Sequence, residues 1–168
     1  MTPNTTTPQS PALPPRATRG VPVAWVSLLR AHTTLRRSMD ANLLTEHDLT
    51  INDYEVLLSL AHAPDRRLRR VDLAERILLT QSGITRLLQG LERAGLVERR
   101  DCPTDGRVVY ALLTDRGYDR LRAASRTHLD DIRSLFAARF SADELDTLQH
   151  LLGRVLEDPD SETECGVE

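Results

Sequence analysis

A mainly α chain of six helices with one small β-hairpin is what the sequence predicts, and three observations carry that prediction. Apolar residues recur at three- and four-residue spacing in six separate stretches. A single region, residues 96–113, instead holds two short apolar-bearing runs around the turn-forming DCPTDGR. Aromatic residues make up only 4% of the 168 residues, so the core must be built from Leu, Ala, Val and Ile, which favours packed helices over a β-sandwich.

Taken in order, the elements are as follows. Residues 1–20, MTPNTTTPQSPALPPRATRG, are rich in proline and threonine and lack an apolar stretch, which predicts a disordered lead-in rather than a signal peptide. A single domain is expected over 21–157. Trp25, Leu28, His32, Leu35, Met39 and Leu43 form one stripe of a long helix over 22–45. Asn52 is the expected cap of the second helix, with Glu55 three residues on, and Leu57, Leu58, Leu60 and Ala61 as its buried side until Pro64. Leu68 belongs to a short extended piece, and Val71, Leu73, Ala74, Ile77 and Leu78 to a third helix. Thr80 caps the fourth, whose inward face is Ile84, Leu87, Leu88 and Leu91, and Gly95 stops it in a left-handed conformation. Beyond the hairpin, Thr114 caps a long helix carrying Tyr118, Leu121, His128, Leu129, Ile132 and Phe136. Ser141 and Glu144 form a capping box that opens a last helix with Leu145, Leu148, Leu151, Leu152 and Val155. Residues 158–168 are expected to be a solvated acidic tail.

The outer helices, 22–45 and 114–157, carry more apolar surface than a compact monomer of this shape covers, so a homodimer joined through them is expected. The net charge of −3 hides an asymmetry. Between Pro64 and Arg107 ten arginines face seven acids, giving +3, whereas from Phe140 onward one arginine faces nine acids, giving −8. The local field decides a nucleic-acid contact, so the negative total does not exclude one. No residue is lysine; arginine is the better fork for phosphates and guanine edges.

Other classes find little support. Cys102 and Cys165 are too few for a secreted disulfide framework and match no zinc spacing. Asp101 beside Cys102 disfavours a thiolate, against a redox role. The five histidines form no HxxxH pair, so neither metal nor cofactor is expected. No GxSxG, P-loop or dinucleotide-binding glycine run is present, which speaks against an enzyme. No run of 18 apolar residues suggests a membrane span, and the expected setting is the cytoplasm, at the nucleoid.

Residues 70–94 have the form of a helix-turn-helix, two short helices joined tightly, the second slim enough for a major groove about 12 Å wide. The exposed side of that second helix offers Gln81, Ser82, Thr85 and Arg86, hydrogen-bonding groups without bulk, while Gly83 permits close approach of a neighbouring helix or of DNA. Alone, such a helix reads as an ordinary solvated face. The hairpin over 96–113 sharpens it into a wing, because Arg99, Arg100 and Arg107 gather where a wing meets the phosphate backbone. Asp105 is spaced to hold the Arg107 guanidinium and shape the tip.

In this combination the chain resembles the MarR family of bacterial winged-helix regulators. The resemblance rests on LAERILLTQSGITRLLQGLERAGLVERR, on the wing DCPTDGR with its Asp105 and Arg107, and on VYALLTDRG, and it spans about residues 22 to 156. It implies a homodimer that places two recognition helices in successive major grooves of a palindromic double-stranded DNA operator. It implies repression relieved by a small aromatic or phenolic effector. Carried onto this chain, Gln81, Ser82, Thr85 and Arg86 become base or phosphate contacts, Arg107 the wing arginine, and Arg69 and Arg70 candidate phosphate contacts. Gly106 stands where many members carry a second basic residue, which implies a more mobile wing tip. The family's effector site lies between the dimerisation helices and the winged unit, with Trp25, Arg30, His32 and Tyr54 as its candidate lining here. Core packing is the competing role for Trp25 and Tyr54. A winged-helix dimer without DNA binding, serving as a protein-interaction or small-molecule-binding module, is the alternative reading.

Overall fold

The computed structural model describes residues 20–101 and 108–156. Its elements follow in the order α1 (Gly20–His47), α2 (Ile51–Ala61), a 3-10 turn (Pro64–Arg66), β1 (Arg67–Arg69), α3 (Arg70–Arg76), α4 (Gln81–Arg93), β2 (Val97–Asp101), β3 (Val109–Leu113), α5 (Asp115–Ala137) and α6 (Ala142–Leu156). Six helices with a small β-wing are thus observed, and the hairpin gains β1 as a third strand. The sheet is antiparallel in the order β1–β3–β2, with Arg69 opposite Tyr110 and Arg99 opposite Ala111. The lead-in up to residue 19, the wing residues Cys102, Asp105, Gly106 and Arg107, and the acidic tail lie outside the described residues.

The core sits where α2, α3, α4, the sheet and the first half of α5 converge, around Leu57, Leu60, Leu73, Ile84, Val97 and Leu121. Ile84, Leu88 and Leu91 give α4 its buried side, each contributing roughly 1.5–3 kcal/mol by leaving water. Local chemistry sets most boundaries. Thr80 accepts from the Gly83 N–H at 3.1 Å, Thr114 from the Gly117 N–H at 2.9 Å, and the Ser141–Glu144 box opens α6. Gly95 ends the α4 region at φ 69.

Two local expectations are corrected. The cap of α2 is Thr50, not Asn52: its hydroxyl accepts from the Asp53 N–H while the Asp53 carboxylate accepts from the Thr50 N–H. Asn52 and Glu55 are engaged instead by Arg36 of α1, whose guanidinium donates to Asn52 Oδ1 at 2.7 Å and Glu55 Oε1 at 2.8 Å. A charged donor from another helix outweighs a neutral local cap. Leu78 does not pack inward either. α3 ends at Arg76, and Leu78 takes a left-handed φ of 56 that swings its side chain outward, leaving it 92% exposed. That residue turns the chain from α3 into α4.

α1 is bound to α5 by Asn42 donating to Asp131 at 3.0 Å, by His47 with Thr127 at 2.7 Å, and by Arg120 donating to the His47 carbonyl. The far end of α1 is different: Val21, Val23, Trp25, Val26, Leu28 and Leu29 are all exposed. No residue of α6 is buried, although Leu151, Leu152, Val155 and Leu156 lie along it. No helix among the described residues is long and apolar enough to cross a membrane.

Candidate nucleic-acid interface

α3 and α4 pack against each other across the four-residue turn Ile77–Thr80, and α2 and β2 hold α4 from behind. This support leaves the opposite side of α4 to solvent. Gln81, Ser82 and Arg86 are exposed there and Thr85 is half-buried, so the structure brings the four predicted side chains onto one face. Two of them turn back on the helix itself. The Thr85 hydroxyl donates to the Gln81 carbonyl at 2.7 Å, and Arg86 Nε donates to the Ser82 carbonyl at 3.4 Å. Gln89 and Arg93 continue the exposed face toward the C-terminal end. The tight neighbour of Gly83 is its own cap: a Cβ there would stand 3.2 Å from Thr80 Oγ1. Its small size therefore serves the cap hydroxyl, and no neighbouring helix approaches it.

The arginines around α4 divide into groups that the sequence does not separate. Arg69, at the head of α3, is forked onto Asp72, with Nε to Oδ2 at 2.8 Å and Nη2 to Oδ1 at 2.7 Å. Donation from Arg69 holds the Asp72 carboxyl below its ordinary pKa and raises that of Arg69. Arg70 is half-buried, and its Nε has no partner among the described residues. On β2, Arg99 pairs with Asp101 at 3.0 Å. Because successive strand residues face opposite sides, Arg99 and Arg100 lie on different faces of β2, so the pleat does not bring them together. Arg107 lies outside the described residues. Asp72 and Asp101 are thereby the partners of two predicted arginines, and Arg69-x-x-Asp72 and Arg99-x-Asp101 are the pairing intervals of a helix start and of a strand face, the sequence signal by which both could be found.

The Arg69–Asp72 fork yields a testable sign. Exposed ion pairs contribute little to stability, so losing this one leaves the fold intact. It also removes one negative charge beside the face that carries Arg69. Asp72→Asn is therefore expected to tighten binding to DNA of any sequence and to steepen its dependence on salt, measured by fluorescence anisotropy across a salt series. Weaker binding at every salt concentration would show instead that the carboxylate serves to orient Arg69.

A cavity of about 340 Å³ lies between α1, α2 and α5, lined in part by His32, Met39, Ile51, His128, Ile132 and Phe136. Of the four predicted effector contacts, it takes in only His32. Tyr54 is buried, its ring tilted against His128 at 4.7 Å between centroids and its hydroxyl 3.3 Å from Ser125 Oγ. Trp25 and Arg30 sit on the exposed part of α1, away from the cavity lining. The predicted quartet is therefore not one cluster, because Trp25 and Arg30 precede the part of α1 that α5 covers.

His128 is the missed group in this cavity. Its Nδ1 is buried without a partner among the described residues, and burial lowers its pKa below the usual 6.5 against the opposing charges of Asp131 and Glu55. The fold thus prefers a neutral ring. As pH falls through 6.5, the unfolded chain takes up a proton that the folded chain resists, so stability should decline between 6.5 and the lowered native value. His128→Phe keeps a ring beside Tyr54 and is expected to flatten that part of the pH–stability curve. Equal slopes in chemical denaturation of the two proteins would remove His128 from this account. Among the described residues no group of three or more His, Cys, Asp or Glu is placed to hold a metal ion.

Comparison with known proteins converges on one group. The profile of the MarR family matches residues 47–108, the stretch from the end of α1 to the foot of β3. The chain is 28% identical over 131 residues to the HTH-type transcriptional regulator MhqR of Bacillus subtilis, covering 78% of this chain and 88% of that one. It is 34% identical over 109 residues to the HTH-type transcriptional repressor YetL of the same organism, covering 65% of each. Among solved structures it superposes with a TM-score of 0.76 on Sco3205, a MarR family transcriptional regulator from Streptomyces coelicolor in complex with DNA, at 32% identity over 86% of this chain and 91% of that one. With the helix-turn-helix, the wing and the outer helices all in the same order, this chain belongs to the MarR family of DNA-binding transcriptional regulators.

Proposed function

We propose that the protein is a homodimeric repressor that occupies a palindromic operator in the cytoplasm and leaves it when a small aromatic or phenolic effector binds. The observation that carries this reading is the exposed face of α4, where Gln81, Ser82, Thr85 and Arg86 project together from a helix held on its other side by the core. Side chains of this size and hydrogen-bonding capacity suit base edges in a major groove. Arg69, Arg70, Arg99 and Arg100 supply phosphate contacts around it, and Arg107, outside the described residues, is the wing contact that the resemblance implies. The YetL resemblance supports repression, and the DNA-bound Sco3205 supports the mode of docking. The cavity between α1, α2 and α5 is the effector site in this reading, with an apolar wall of Met39, Ile132 and Phe136 and the rings of His32 and His128 beside it.

Selection of binding sites from random-sequence DNA, followed by mobility shifts on the recovered site, tests the proposal. Gln81→Ala or Thr85→Ala is expected to relax preference at one base pair per half-site by about 1–3 kcal/mol while leaving non-specific affinity unchanged. Recovery of no enriched sequence would favour the alternative, a winged-helix dimer that binds small molecules or proteins.

A further inference from the structure

Arg36 sits at a boundary between two cavities. On one side lies the 340 Å³ space between α1, α2 and α5. On the other lies a cavity of about 260 Å³ bordered by Leu58 and Ser59 of α2 and by Arg76, Ile77 and Leu78 at the end of α3. Arg36 and Glu55 line both, so their ion pair, 2.8 Å from Nη1 to Oε1, is the wall they share. Asn52 completes the clasp by accepting from Nη2 at 2.7 Å. The clasp joins α1 to the first turns of α2. Leu58 and Ser59 follow Glu55 at three and four residues, on the next turn of the same helix face. They border the same cavity as the segment that turns the chain into α4, where Leu78 holds a left-handed backbone rarely adopted by a branched residue.

We propose that Arg36 is the positioning residue through which occupancy of the α1–α2–α5 cavity reaches the α3–α4 turn. The proposal rests on reading that cavity as the effector site. A ligand seated there competes with Glu55 and Asn52 for the Arg36 guanidinium or crowds Glu55 from its place. Released from α1, α2 shifts against Ile77 and Leu78, and the angle at which α4 is presented changes with it. The pair suits this task because it is formed between two helices rather than within one, and because both partners remain about one-third exposed and able to exchange.

The test uses the full-length protein and needs no knowledge of the natural effector. Arg36→Met and Glu55→Gln each break the clasp. The exchange Arg36→Glu with Glu55→Arg restores it with reversed charges, since the Asn52 amide donates as well as accepts. Each single variant is expected to shift the methyl resonances of Ile77 and Leu78 and to weaken binding to the selected operator at least about fivefold, the lower end of typical coupling. The exchange should return both toward wild type. Unchanged methyls and affinity in the single variants, or no rescue in the exchange, overturn the proposal, whatever happens to thermal stability. A titration of the wild-type protein with phenol separates the two readings. If the Met39 methyl responds but Ile77 and Leu78 do not, the cavity binds and the coupling is wrong. If Met39 does not respond up to saturation, the effector reading loses its support and the exchange variant alone decides the coupling.

Discussion

Gly117→Ala is expected to cost the protein about 3 kcal/mol or more of stability, at or beyond the upper end of ordinary overpacking. Gly117 sits in the first turn of α5, where the helix rests on the end of α4's connection into β2. A Cβ built there would lie 2.1 Å from the Leu96 carbonyl oxygen and 2.8 Å from Leu113 Cδ1. The obstacle is backbone, not the end of a flexible side chain, and that backbone is fixed. Thr114 donates from its N–H to the Leu96 carbonyl at 3.2 Å, and its hydroxyl lies 3.1 Å from the same oxygen. Leu96 and Val97 are themselves buried, at 3% and 2% exposure, so β2 cannot retreat without opening the core. Against a total stability of roughly 5–15 kcal/mol for a domain, such a loss is large. Gly90→Ala makes the contrast. Nothing lies within 4 Å of its Cβ position, and alanine in a helix interior is favoured over glycine by up to about 1 kcal/mol. Urea denaturation of the two variants should move the midpoint in opposite directions. A Gly117→Ala midpoint within error of wild type would mean that α5 does not seat on Leu96 as described.

What could be read from the sequence was local. Thr80, Thr114 and the Ser141–Glu144 box each act over three residues, so the sequence contains both partners of the bond, and all three are found where they were expected. The same is true of Ile84, Leu88 and Leu91, whose spacing alone defines an inward face. Where a distant residue competes, the local signal misleads. Thr50–Asp53 and Asn52–Glu55 are two overlapping capping patterns, and the choice between them is made by Arg36, which takes Asn52 and Glu55 from another helix. Leu78 gives no warning of its left-handed backbone, because glycine and asparagine are the residues that announce it. The cavity is further out of reach. Tyr54 and His128 are 74 positions apart, and only the packing of α2 on α5 brings their rings together. Trp25 stands outside the cavity lining for a related reason: its helix carries an apolar stripe, but the described residues supply no surface that covers that end of it.

That uncovered surface leads to the largest expected effect on DNA binding. The first half of α1 and all of α6 are helices in a chain that buries almost nothing of them. Isolated helices of this length are marginal in water, and their order normally comes from packing an apolar face. Leu152 and Val155, 38% and 71% exposed, share a face of α6, and Trp25, Leu28 and Leu29 supply matching apolar surface on α1. A second copy of the chain is the partner that the family resemblance implies. Glutamate at both positions, Leu152→Glu with Val155→Glu, places two charges in that interface without touching the buried core. The variant is expected to sediment as a monomer with an unchanged unfolding transition for the winged unit. Its effect on DNA follows from valency. A dimer engages two half-sites about one helical turn apart, and the second contact is intramolecular once the first is made. Linkage of that kind contributes about 10²–10⁴-fold in affinity, so the monomer should bind the full operator at least about 100-fold more weakly while retaining wild-type affinity for a single half-site. A variant that stays dimeric moves the interface away from this face of α6. A monomer that binds the full operator as tightly as wild type would mean that each winged unit recognises its DNA alone.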